Sequence, residues 1–462
     1  MKVLLVYTCS PPESHDPFGS RLPIGLGYLA AALFQHGHEC QIVNLARKKS
    51  KYLKKKIEKW QPHFVGFTMF TFNRQAVLQA ASDIKKWSPK TKTILGGPHA
   101  TALGQDLKER HSFIDHVVEK EGEEELLQIL GDKGQNEMWL KLHPGQAMLK
   151  AGVKEPEDYI YLSTSRGCKG HCTFCSSPSF WPKGVRFHSI AWIMDELRFR
   201  QQEIGLDFIS FRDDSFTTNK DRLLTLCKEM KQTKDLQLLW DCQARAQEID
   251  DDIAKALLHA GCRTVQLGIE HGSPYMRRLL GKNDDVSHAI RATKELRRVG
   301  IFVSWFLITA IPGESEQDRE ATRELIKKGR PHDVVLSPLA LYPGTALYRL
   351  EARRRTLPND FWLTTQDHWT LAMPYEEGQK IMKSEAPFLS ACAAKHQFTT
   401  KELTAVWASH GKPWPLTYSL ALHLLEEGMV KKAKKILWES EKKQKWLWIS
   451  RLLAELGNGG SS

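Results

Sequence analysis

The sequence predicts an α/β protein with parallel sheets, followed by a helical C-terminal part. Short apolar runs alternate with amphipathic stretches up to about residue 130, and a second alternation runs from 159 to about 350. After residue 354 the strand signal ends, while amphipathic helical patterns continue. Strands that alternate with helical stretches of ten or more residues are typical of parallel sheets. We therefore expect two parallel-sheet domains and one helical domain.

The first domain, predicted to span residues 1–131, is expected to hold a doubly wound, Rossmann-like sheet. Its strand-like runs are KVLLVYT (2–8), CQIVNL (40–45), HFVGFTM (63–69), KTILGG (92–97) and DHVVEKEG (115–122). Ligands of such sheets bind beyond the carboxyl ends of the strands, where small residues let the backbone approach closely. No Gly-x-Gly-x-x-Gly follows the first strand, which counts against a nicotinamide cofactor.

The second alternation predicts an incomplete (β/α)₆ barrel over residues 159–353, reached through a linker at 132–158. Its strand-like runs are YIYLSTS (159–165), FISFRDD (208–214), LQLLWDCQAR (236–245), RTVQLGIE (263–270), FVSWFLITAIPG (302–313) and DVVLSPLALYPG (333–344). The functional face of such a barrel is formed by the carboxyl ends of its strands. Residues 354–456 are predicted to be a helical domain, and the Gly/Ser-rich residues 457–462 a disordered tail.

The composition is that of a globular protein with a basic charge. The chain has 462 residues and a formal net charge of +12. No apolar run reaches about 18 residues, so no transmembrane helix is expected. An opening strand in place of a charged, apolar and cleavable segment predicts a cytoplasmic protein. The lysine-rich stretches 47–56 and 431–445 read as solvated helix faces, so nucleic acid is not an expected partner.

Three cysteines lie within eight residues, at Cys168, Cys172 and Cys175, with no other cysteine within 50 residues on either side. In a reducing compartment this spacing favours a metal site over disulfides. A zinc site would need a fourth ligand such as His171 or His188. An iron–sulfur cluster takes thiolate ligands, and three thiolates on a four-iron cluster leave one iron open for substrate or cofactor.

This cysteine spacing, with the aromatic Phe174 just before the third cysteine, resembles the signature of the radical S-adenosylmethionine (SAM) superfamily. The resemblance covers most of residues 159–350. It implies a 4Fe-4S cluster whose open iron is chelated by the amino and carboxylate groups of SAM. It also implies reductive cleavage of SAM to a 5′-deoxyadenosyl radical, with an electron from an external donor such as flavodoxin or ferredoxin.

Polar residues at successive strand ends suit the binding of SAM. Asp213 and Asp214 follow one strand and could accept hydrogen bonds from the ammonium group of SAM. Arg245 follows the next strand and offers a fork-shaped donor to its carboxylate. Glu270 ends the strand after that, where a carboxylate can accept bonds from ribose hydroxyls. The alternative for each is a solvated or salt-bridged loop charge.

Further motifs resemble the cobalamin-binding branch of radical SAM enzymes. They are PIGLGYLAAAL, VGFTMFTFN, ILGGPHAT, GIEHGS and LYPGT, and with the cysteine motif they extend the resemblance over about residues 1–350. The resemblance implies cobalamin held by the first domain. Because Asp-x-His-x-x-Gly is absent from the sequence, it implies base-off cobalamin without a histidine ligand from the protein.

The candidate cobalamin residues follow the predicted strands of the first domain. They are Thr8, Thr68, Met69, Phe70, Gly96, Gly97, Pro98, Glu121 and Gly122. Met69 and Phe70 are expected to lie near the lower face of cobalt, with core packing as the equal alternative for both.

The resemblance implies a methyltransferase that acts on an unactivated carbon of a small-molecule or peptide substrate. Some members of the branch instead cyclise, oxidise or rearrange their substrate. Methylthiotransferases that modify RNA carry three further cysteines in the N-terminal domain, whereas this one has only Cys9 and Cys40. A cobalamin-binding sensor is the non-enzymatic alternative, but a sensor would not need an open iron.

Overall fold

The computed structural model describes residues 1–8, 20–48, 50–355, 361–363, 375–443 and 447–458. The chain divides into two compact units. The first unit comprises residues 1–205 and 340–370, and the second comprises residues 206–339 and 371–462. The cysteine motif therefore belongs to the same compact unit as the predicted cobalamin domain, whereas most strands of the predicted barrel belong to the second unit.

A five-stranded parallel sheet forms the centre of the first unit. Its strands are β1 (Lys2–Tyr7), β2 (Glu39–Asn44), β3 (Phe64–Thr68), β4 (Lys92–Gly96) and β5 (His116–Val117), in the order β2-β1-β3-β4-β5. This order is that of a doubly wound sheet, as the sequence predicts. The order reverses between β1 and β3, so the crevice for a ligand lies beyond the carboxyl ends of these two strands.

Helices connect and cover these strands. They are α1 (Gly25–Gln35), α2 (Ser50–Trp60), α3 (Arg74–Trp87), α4 (Pro98–Arg110) and α5 (Gly122–Ile129). In the core, strand residues at alternate positions pack against residues of α3 at helical spacing. Fully or almost fully buried are the strand residues Leu4, Val6, Val65 and Leu95 and the α3 residues Val77, Leu78, Ala81 and Ile84. Burial of side chains of this size contributes about 1.5–3 kcal/mol each to folding.

The remainder of residues 1–205 continues the first unit with short elements. They are α6 (Pro144–Lys150), β6 (Tyr161–Leu162), β7 (Ser165–Arg166), α7 (Ser177–Phe180), β8 (Arg186–Phe187) and α8 (Ile190–Gln202). Strands β7 and β8 form an antiparallel pair, with Arg166 opposite Arg186. The segment between these two strands contains all three clustered cysteines.

The predicted linker at 132–158 contains helix α6. This helix begins at Pro144, whose fixed φ suits the first helical position. Gly27 of α1 lets the two helices approach closely, since a Cβ at Gly27 would lie 2.9 Å from the Cβ of Pro144. Ala147 and Met148 are buried. A seven-residue helix spans only two turns, which is too short to show a clear period in the sequence.

A parallel sheet also forms the centre of the second unit. Its strands are β9 (Phe208–Phe211), β10 (Leu239–Ala244), β11 (Cys262–Glu270), β12 (Phe302–Thr309) and β13 (Asp333–Pro338), which lie in sequence order across the sheet. The intervening helices are α9 (Lys220–Gln232), α10 (Asp251–His259), α11 (Pro274–Leu279), α12 (Ser287–Arg298) and α13 (Glu316–Gly329). This repeating strand–helix order confirms the predicted α/β architecture.

Helices continue to the C-terminal end of the described residues. Helix α14 (Ala346–Arg355) belongs to the first unit. Helices α15 (Tyr375–His396), α16 (Thr400–Ser409), α17 (Trp414–Glu426), α18 (Val430–Lys443) and α19 (Leu447–Asn458) belong to the second. Helix α19 includes residues 457 and 458 of the predicted tail, and residues 459–462 lie outside the described residues. Within the described ranges, no helix combines the length and apolarity needed to cross a bilayer.

Candidate functional site

The cysteine loop joins β7 to β8 in the first unit. The thiols of Cys168, Cys172 and Cys175 are half-buried. The backbone N–H of Cys175 donates to the carbonyl of Cys172 at 3.2 Å, so the second and third cysteines share one turn. Phe174 lies in the same turn and is half-buried. These four residues are therefore brought together by local chain geometry, as their spacing predicts.

Backbone N–H groups point at two of the three sulfurs. Gly170 N–H donates to the Sγ of Cys168 at 3.2 Å, and Ser177 N–H donates to the Sγ of Cys175 at 3.4 Å. Hydrogen bonds to a sulfur favour its thiolate form. In iron–sulfur proteins such bonds also tune the reduction potential of the cluster. The loop is thus suited to hold thiolates.

The beginning and end of the cysteine loop meet at Gly167. This glycine has a φ of +94°, and a Cβ at this position would lie 2.3 Å from the carbonyl oxygen of Gly184. No L-residue with a side chain fits such an approach without moving the backbone. Gly167 therefore closes the loop next to Cys168.

The donor set fits an iron–sulfur cluster better than zinc. Among the described residues, no three His, Cys, Asp or Glu side chains are grouped so as to hold a single metal ion. A four-iron cluster binds each thiolate at a different iron, so its three cysteines need not converge on one point. His188, one predicted fourth zinc ligand, is buried, with its Nε2 2.8 Å from the Tyr28 hydroxyl and its Nδ1 3.3 Å from the Leu140 carbonyl. Both of its ring nitrogens are thereby occupied.

Arg166, two residues before Cys168, anchors the cysteine loop to helix α5. Its Nη1 lies 2.8 Å from a carboxylate oxygen of Glu121, and its Nη2 lies 2.5 Å from a carboxylate oxygen of Glu123. Burial alone would lower the pKa of the Arg166 guanidinium, but Glu123 and Glu121 hold it above its ordinary value. Three aromatic rings also contact the guanidinium, those of Trp139, Tyr28 and Trp181 at 4.4, 4.8 and 5.3 Å.

Glu121, a predicted cobalamin residue, has protein partners for its carboxylate. Arg186 donates to it at 3.1 Å, in addition to Arg166. Burial alone would raise the pKa of Glu121, but these two guanidinium groups hold it below its ordinary value. Gly122 begins helix α5 directly after Glu121. Sequence reasoning missed both arginines, although Arg166 directly precedes the glycine of the cysteine motif.

Two predicted cobalamin residues lie at the crevice between β1 and β3. Thr8 follows β1 and is buried, and Thr68 ends β3. The side-chain amide of Asn73 donates to the carbonyl of Thr8 at 2.8 Å and to that of Thr68 at 3.3 Å. One amide therefore fixes both strand ends. Within the described part of the chain, the Oγ1 of Thr8 has no hydrogen-bond partner. Sequence reasoning missed Asn73.

The two predicted neighbours of cobalt differ in exposure. Met69 is fully buried and belongs to the hydrophobic core of the first unit. Phe70 is half-buried, and its ring stacks on that of Phe72 with centroids 5.3 Å apart. Phe72 is 42% exposed. Of the two predicted residues, only Phe70 has surface available to a ligand, and Met69 packs in the core.

The predicted glycine pair at the end of β4 has two different roles. Gly97 has a φ of +97°, and a Cβ there would lie 2.9 Å from both N and O of Met69. Its lack of a side chain is therefore required by the protein's own backbone. The atom nearest to a Cβ at Gly96 would be the carbonyl oxygen of Val118, at 3.6 Å. Gly96 therefore has more free space around it than Gly97. Pro98, which follows the two glycines, begins helix α4.

Of the five predicted SAM residues, Phe174 lies in the first unit, and the other four lie in the second unit at the carboxyl ends of β9, β10 and β11. Asp213 is 1% exposed, whereas the next residue, Asp214, is exposed. Ser215 and Thr217 donate to one carboxylate oxygen of Glu248 at 2.7 and 2.6 Å. Because Glu248 follows β10, it ties the loop after β9 to the loop after β10. Sequence reasoning missed Glu248.

Arg245 and Glu270 differ in their availability to a ligand. Arg245 is half-buried, and its guanidinium has no hydrogen bond or ion pair with the described residues. Glu270 is 8% exposed and pairs with the Nζ of Lys282 at 3.1 Å. Its φ of +69° is costly for a residue with a side chain, and such strain gathers at functional sites. A ribose hydroxyl would therefore share the Glu270 carboxylate with Lys282.

Two family models match separate parts of this chain. Residues 19–130 match the model of the B12 binding domain, and residues 162–326 match that of the Radical SAM superfamily. The first range covers the strand ends at Thr68, Gly96 and Glu121. The second covers the cysteine loop and the strand ends at Asp213, Arg245 and Glu270.

The chain is similar to proteins of several organisms. The chain is 28% identical to the uncharacterized methyltransferase PH0819 of Pyrococcus horikoshii, over 78% of this chain and 85% of the relative. It is 23% identical to the anaerobic magnesium-protoporphyrin IX monomethyl ester cyclase of Rubrivivax gelatinosus, over 72% of this chain and 66% of the relative. Among solved structures, the radical SAM methyltransferase TsrM of Kitasatospora setae, with cobalamin and a [4Fe-4S] cluster bound, has a TM-score of 0.62. It covers 77% of this chain and 76% of its own at 18% identity.

Proposed function

Since this chain is a cobalamin-dependent radical SAM enzyme, whose cofactors are a 4Fe-4S cluster, SAM and cobalamin, we propose that it methylates an unactivated carbon. The substrate would be a small molecule or a peptide. When bound, the cluster with SAM supplies a radical that removes a hydrogen atom, and cobalamin supplies a methyl group. The protein's own residues would hold the cofactors and the substrate in a site that excludes water.

The observation that carries this proposal is the ion pair between Arg166 and Glu121. It joins the cysteine loop to the first residues of α5, at a strand end of the cobalamin domain. Methyl transfer to a carbon radical requires the radical source and the methyl source to face one substrate. A rigid link between their two binding elements would set that separation. The named methyltransferase relative, matched over 85% of its length, supports the same reaction type.

Most of the candidate residues are assigned a binding role in this proposal. Cys168, Cys172 and Cys175 would bind three irons, and Phe174 would pack beside SAM. Arg245 would bind the SAM carboxylate, with Asp213 and Asp214 toward its ammonium and Glu270 toward its ribose. Cobalamin would lie base-off along the strand ends at Thr8, Thr68, Gly96 and Gly122, with Phe70 near the lower face of cobalt.

The test begins with anaerobic reconstitution using iron, sulfide and hydroxocobalamin. SAM with a deuterated methyl group and a chemical reductant are then added, without substrate and with a small-molecule extract. A methyltransferase should form about one S-adenosylhomocysteine per bound cobalamin without substrate. With substrate it should form S-adenosylhomocysteine and 5′-deoxyadenosine in near-equal amounts, together with a product that has gained the labelled methyl group.

The second candidate is a cyclisation, oxidation or rearrangement without methyl transfer. The similarity to the magnesium-protoporphyrin IX monomethyl ester cyclase favours it. Substrate-dependent 5′-deoxyadenosine without S-adenosylhomocysteine, and without a labelled methyl group in any product, would establish this alternative and contradict the first.

An RNA methylthiotransferase would need a second cluster in the first domain. That domain has only Cys9 and Cys40, and Cys9 lies outside the described residues. Cys40 is 5% exposed, and burial raises the pKa of its thiol, which disfavours the thiolate that a cluster requires. We therefore prefer methyl transfer and the non-methylating radical reaction to an RNA methylthiotransferase or a cobalamin sensor.

The electron that starts the reaction would come from an external donor such as flavodoxin or ferredoxin. We also propose a cytoplasmic location, because a reducing compartment keeps free cysteine thiols such as Cys168 and Cys392 from forming disulfides. Oxygen-free purification with retained iron, compared with purification in air, would test the need for such conditions.

A further inference from the structure

Helix α18 presents an exposed tryptophan surrounded by lysines. Trp438 is 55% exposed. Lys434 and Lys435 precede it by four and three residues, Lys442 follows it by four, and Lys431 precedes it by seven, so all five share one side of the helix. The Nζ of Lys442 lies 3.4 Å from the centroid of the Trp438 ring. We call Lys431, Lys434, Lys435, Trp438 and Lys442 the basic tryptophan face.

The opposite side of α18 fixes the outward direction of this face. Ala433 and Leu437 are completely buried, and Ile436 is 8% exposed. These three residues lie at helical spacing and attach the helix to the rest of the second unit. Trp438 cannot join that core without turning Ala433 and Leu437 into solvent. The exposed tryptophan is therefore held on the surface by the packing of its own helix.

The lysines of this face act against the stability of their helix. Lys431 lies in the first turn of α18, where the helix dipole is positive, and that turn contains no acidic residue. Lys431 and Lys435 are also four residues apart, a spacing at which like charges repel. Among the described residues, none forms an ion pair with Lys431, Lys434 or Lys435, and an anionic surface would offset the local cost.

We propose that the basic tryptophan face docks on the surface of a bilayer that contains anionic lipids. Lysines attract anionic headgroups, and tryptophan favours the boundary between headgroups and acyl chains. Met429, which precedes the same helix, and Val430, its first residue, are 42% and 41% exposed. Val430 lies about 12 Å from Trp438 along the helix axis. These apolar side chains can enter a lipid interface, whereas they add nothing to contacts with nucleic-acid phosphates. The docking goes beyond the proposed methyl transfer and does not depend on it.

The test is co-sedimentation of the full chain with vesicles. One set contains equal parts of phosphatidylglycerol and phosphatidylcholine, and the other contains phosphatidylcholine alone. The protein should bind the first set and not the second, and high salt should weaken that binding. Replacing three lysines together (Lys431→Gln, Lys434→Gln, Lys435→Gln) should lower the partition coefficient about a hundredfold, because each lysine contributes about fivefold.

Two further variants separate the parts of the face. Trp438→Ala should weaken vesicle binding about tenfold while leaving its salt dependence in place, because a tryptophan contributes apolar contact and not charge. The matched control replaces three exposed lysines of α2 (Lys51→Gln, Lys55→Gln, Lys59→Gln) and should change binding less than fivefold. Circular dichroism checks that each variant is folded; all substituted side chains are exposed.

Three results would overturn the docking proposal. They are equal sedimentation with both vesicle sets, equal losses in the α18 and α2 triple variants, and failure to bind anionic vesicles. In the last case, fluorescence anisotropy with labelled duplex DNA and RNA shows whether the same lysines bind nucleic acid. Specific binding of an acidic redox protein through these lysines, without vesicle binding, would show that the partner is a protein and not a lipid surface.

Discussion

Arg166 Nη1 lies 2.8 Å from a carboxylate oxygen of Glu121, across 45 positions of the sequence. The pair connects the residue two positions before the first clustered cysteine to the residue that precedes helix α5. Glu123, two residues after Glu121 and within α5, binds the other arm of the same guanidinium. The position of the cysteine loop in the first unit is therefore fixed by buried charges as well as by the chain itself.

We expect Arg166→Met to lower the free energy of unfolding by about 3–5 kcal/mol. The substitution leaves the buried carboxylate of Glu123 without its partner, and breaking one side of a buried ion pair has this typical cost. Urea unfolding followed by circular dichroism measures it. The partly exposed Arg198→Met variant on α8 is the matched control and should stay within about 0.5 kcal/mol of the parent. A loss at Arg166 no larger than this control would contradict the structural role.

Replacement of Cys168, Cys172 and Cys175 by Ala should remove about four irons per chain and the charge-transfer absorbance of the cluster. The physical reason is that the three thiolates are the ligands that we propose for the cluster. Iron and sulfide assays after anaerobic reconstitution measure the change. Cys392→Ser, at a half-buried thiol on α15, is the control and should keep its iron. Iron and sulfide retained by the triple variant would rule out this loop as the cluster site.

The two glycines after β4 should respond differently to substitution. Gly96→Leu should fold, because a Cβ there meets only ordinary contacts, but it should lower cobalamin occupancy by blocking the strand end. Gly97→Ala should destabilise the chain by about 1–3 kcal/mol, because its positive φ and the Met69 backbone exclude a side chain. Cobalamin absorbance per chain and urea unfolding separate the two effects. Full cobalamin occupancy in a folded Gly96→Leu variant would place the cofactor elsewhere.

Arg245→Gln should weaken SAM binding about 10–100-fold. A charge-assisted hydrogen bond to a carboxylate contributes about 1.5–3 kcal/mol, and Arg245 lacks a partner among the described residues. Equilibrium dialysis of labelled SAM against the reconstituted protein measures the dissociation constant. The exposed Arg278→Gln variant on α11 makes the same change of charge and serves as control. Equal affinities for the two variants would show that Arg245 does not bind SAM.

His332 should make the second unit less stable as the pH falls. The N–H of Val303 donates to its Nδ1 at 2.9 Å, so the buried ring accepts there in its neutral form. Burial, together with positive charge at Arg297, His396 and Arg330, lowers the pKa of His332 to about 2. Between the ordinary histidine pKa of about 6.5 and that value, the unfolded chain binds a proton that the folded chain does not.

The contribution of neutral His332 to the free energy of unfolding is therefore fully present above about pH 6.5. It is lost toward lower pH, at up to about 1.4 kcal/mol per pH unit. His332→Asn keeps an acceptor for Val303 and should flatten the dependence of unfolding free energy on pH between 6.5 and 5. Urea unfolding at several pH values measures that slope, with the exposed His63→Asn variant as control. An unchanged slope in His332→Asn would contradict the buried neutral ring.

Local patterns explain what the sequence could predict. The strands and longer helices follow from burial on alternate residues or at helical spacing, and the cysteine loop is set by eight neighbouring positions. The core position of Met69 also follows from a local pattern, the alternation of apolar residues along β3. Val65, Phe67 and Met69 occupy alternate positions, and all three are buried, so the period of β3 already assigns Met69 to the core.

Contacts between distant positions explain what the sequence could not predict. The pairs of Arg166 with Glu121, Asn73 with Thr8, and Lys282 with Glu270 depend on how the elements pack. Charged and amide side chains at such positions also occur on solvated loops, so their type alone does not identify a partner. Helix α6 was missed for a different reason, because seven residues are too few to establish a period.

The ion network at Arg166 limits how the two matched domains can be exchanged between relatives. A chimera joined between residues 131 and 159 would keep Arg166 and Arg186 but take both opposing carboxylates from the donor protein. Unless the donor has acidic residues in place of Glu121 and Glu123, a buried guanidinium would lose its counter-charge. The two cofactor modules of this chain are therefore not independent building blocks, and a working exchange must transfer these four charged positions as a set.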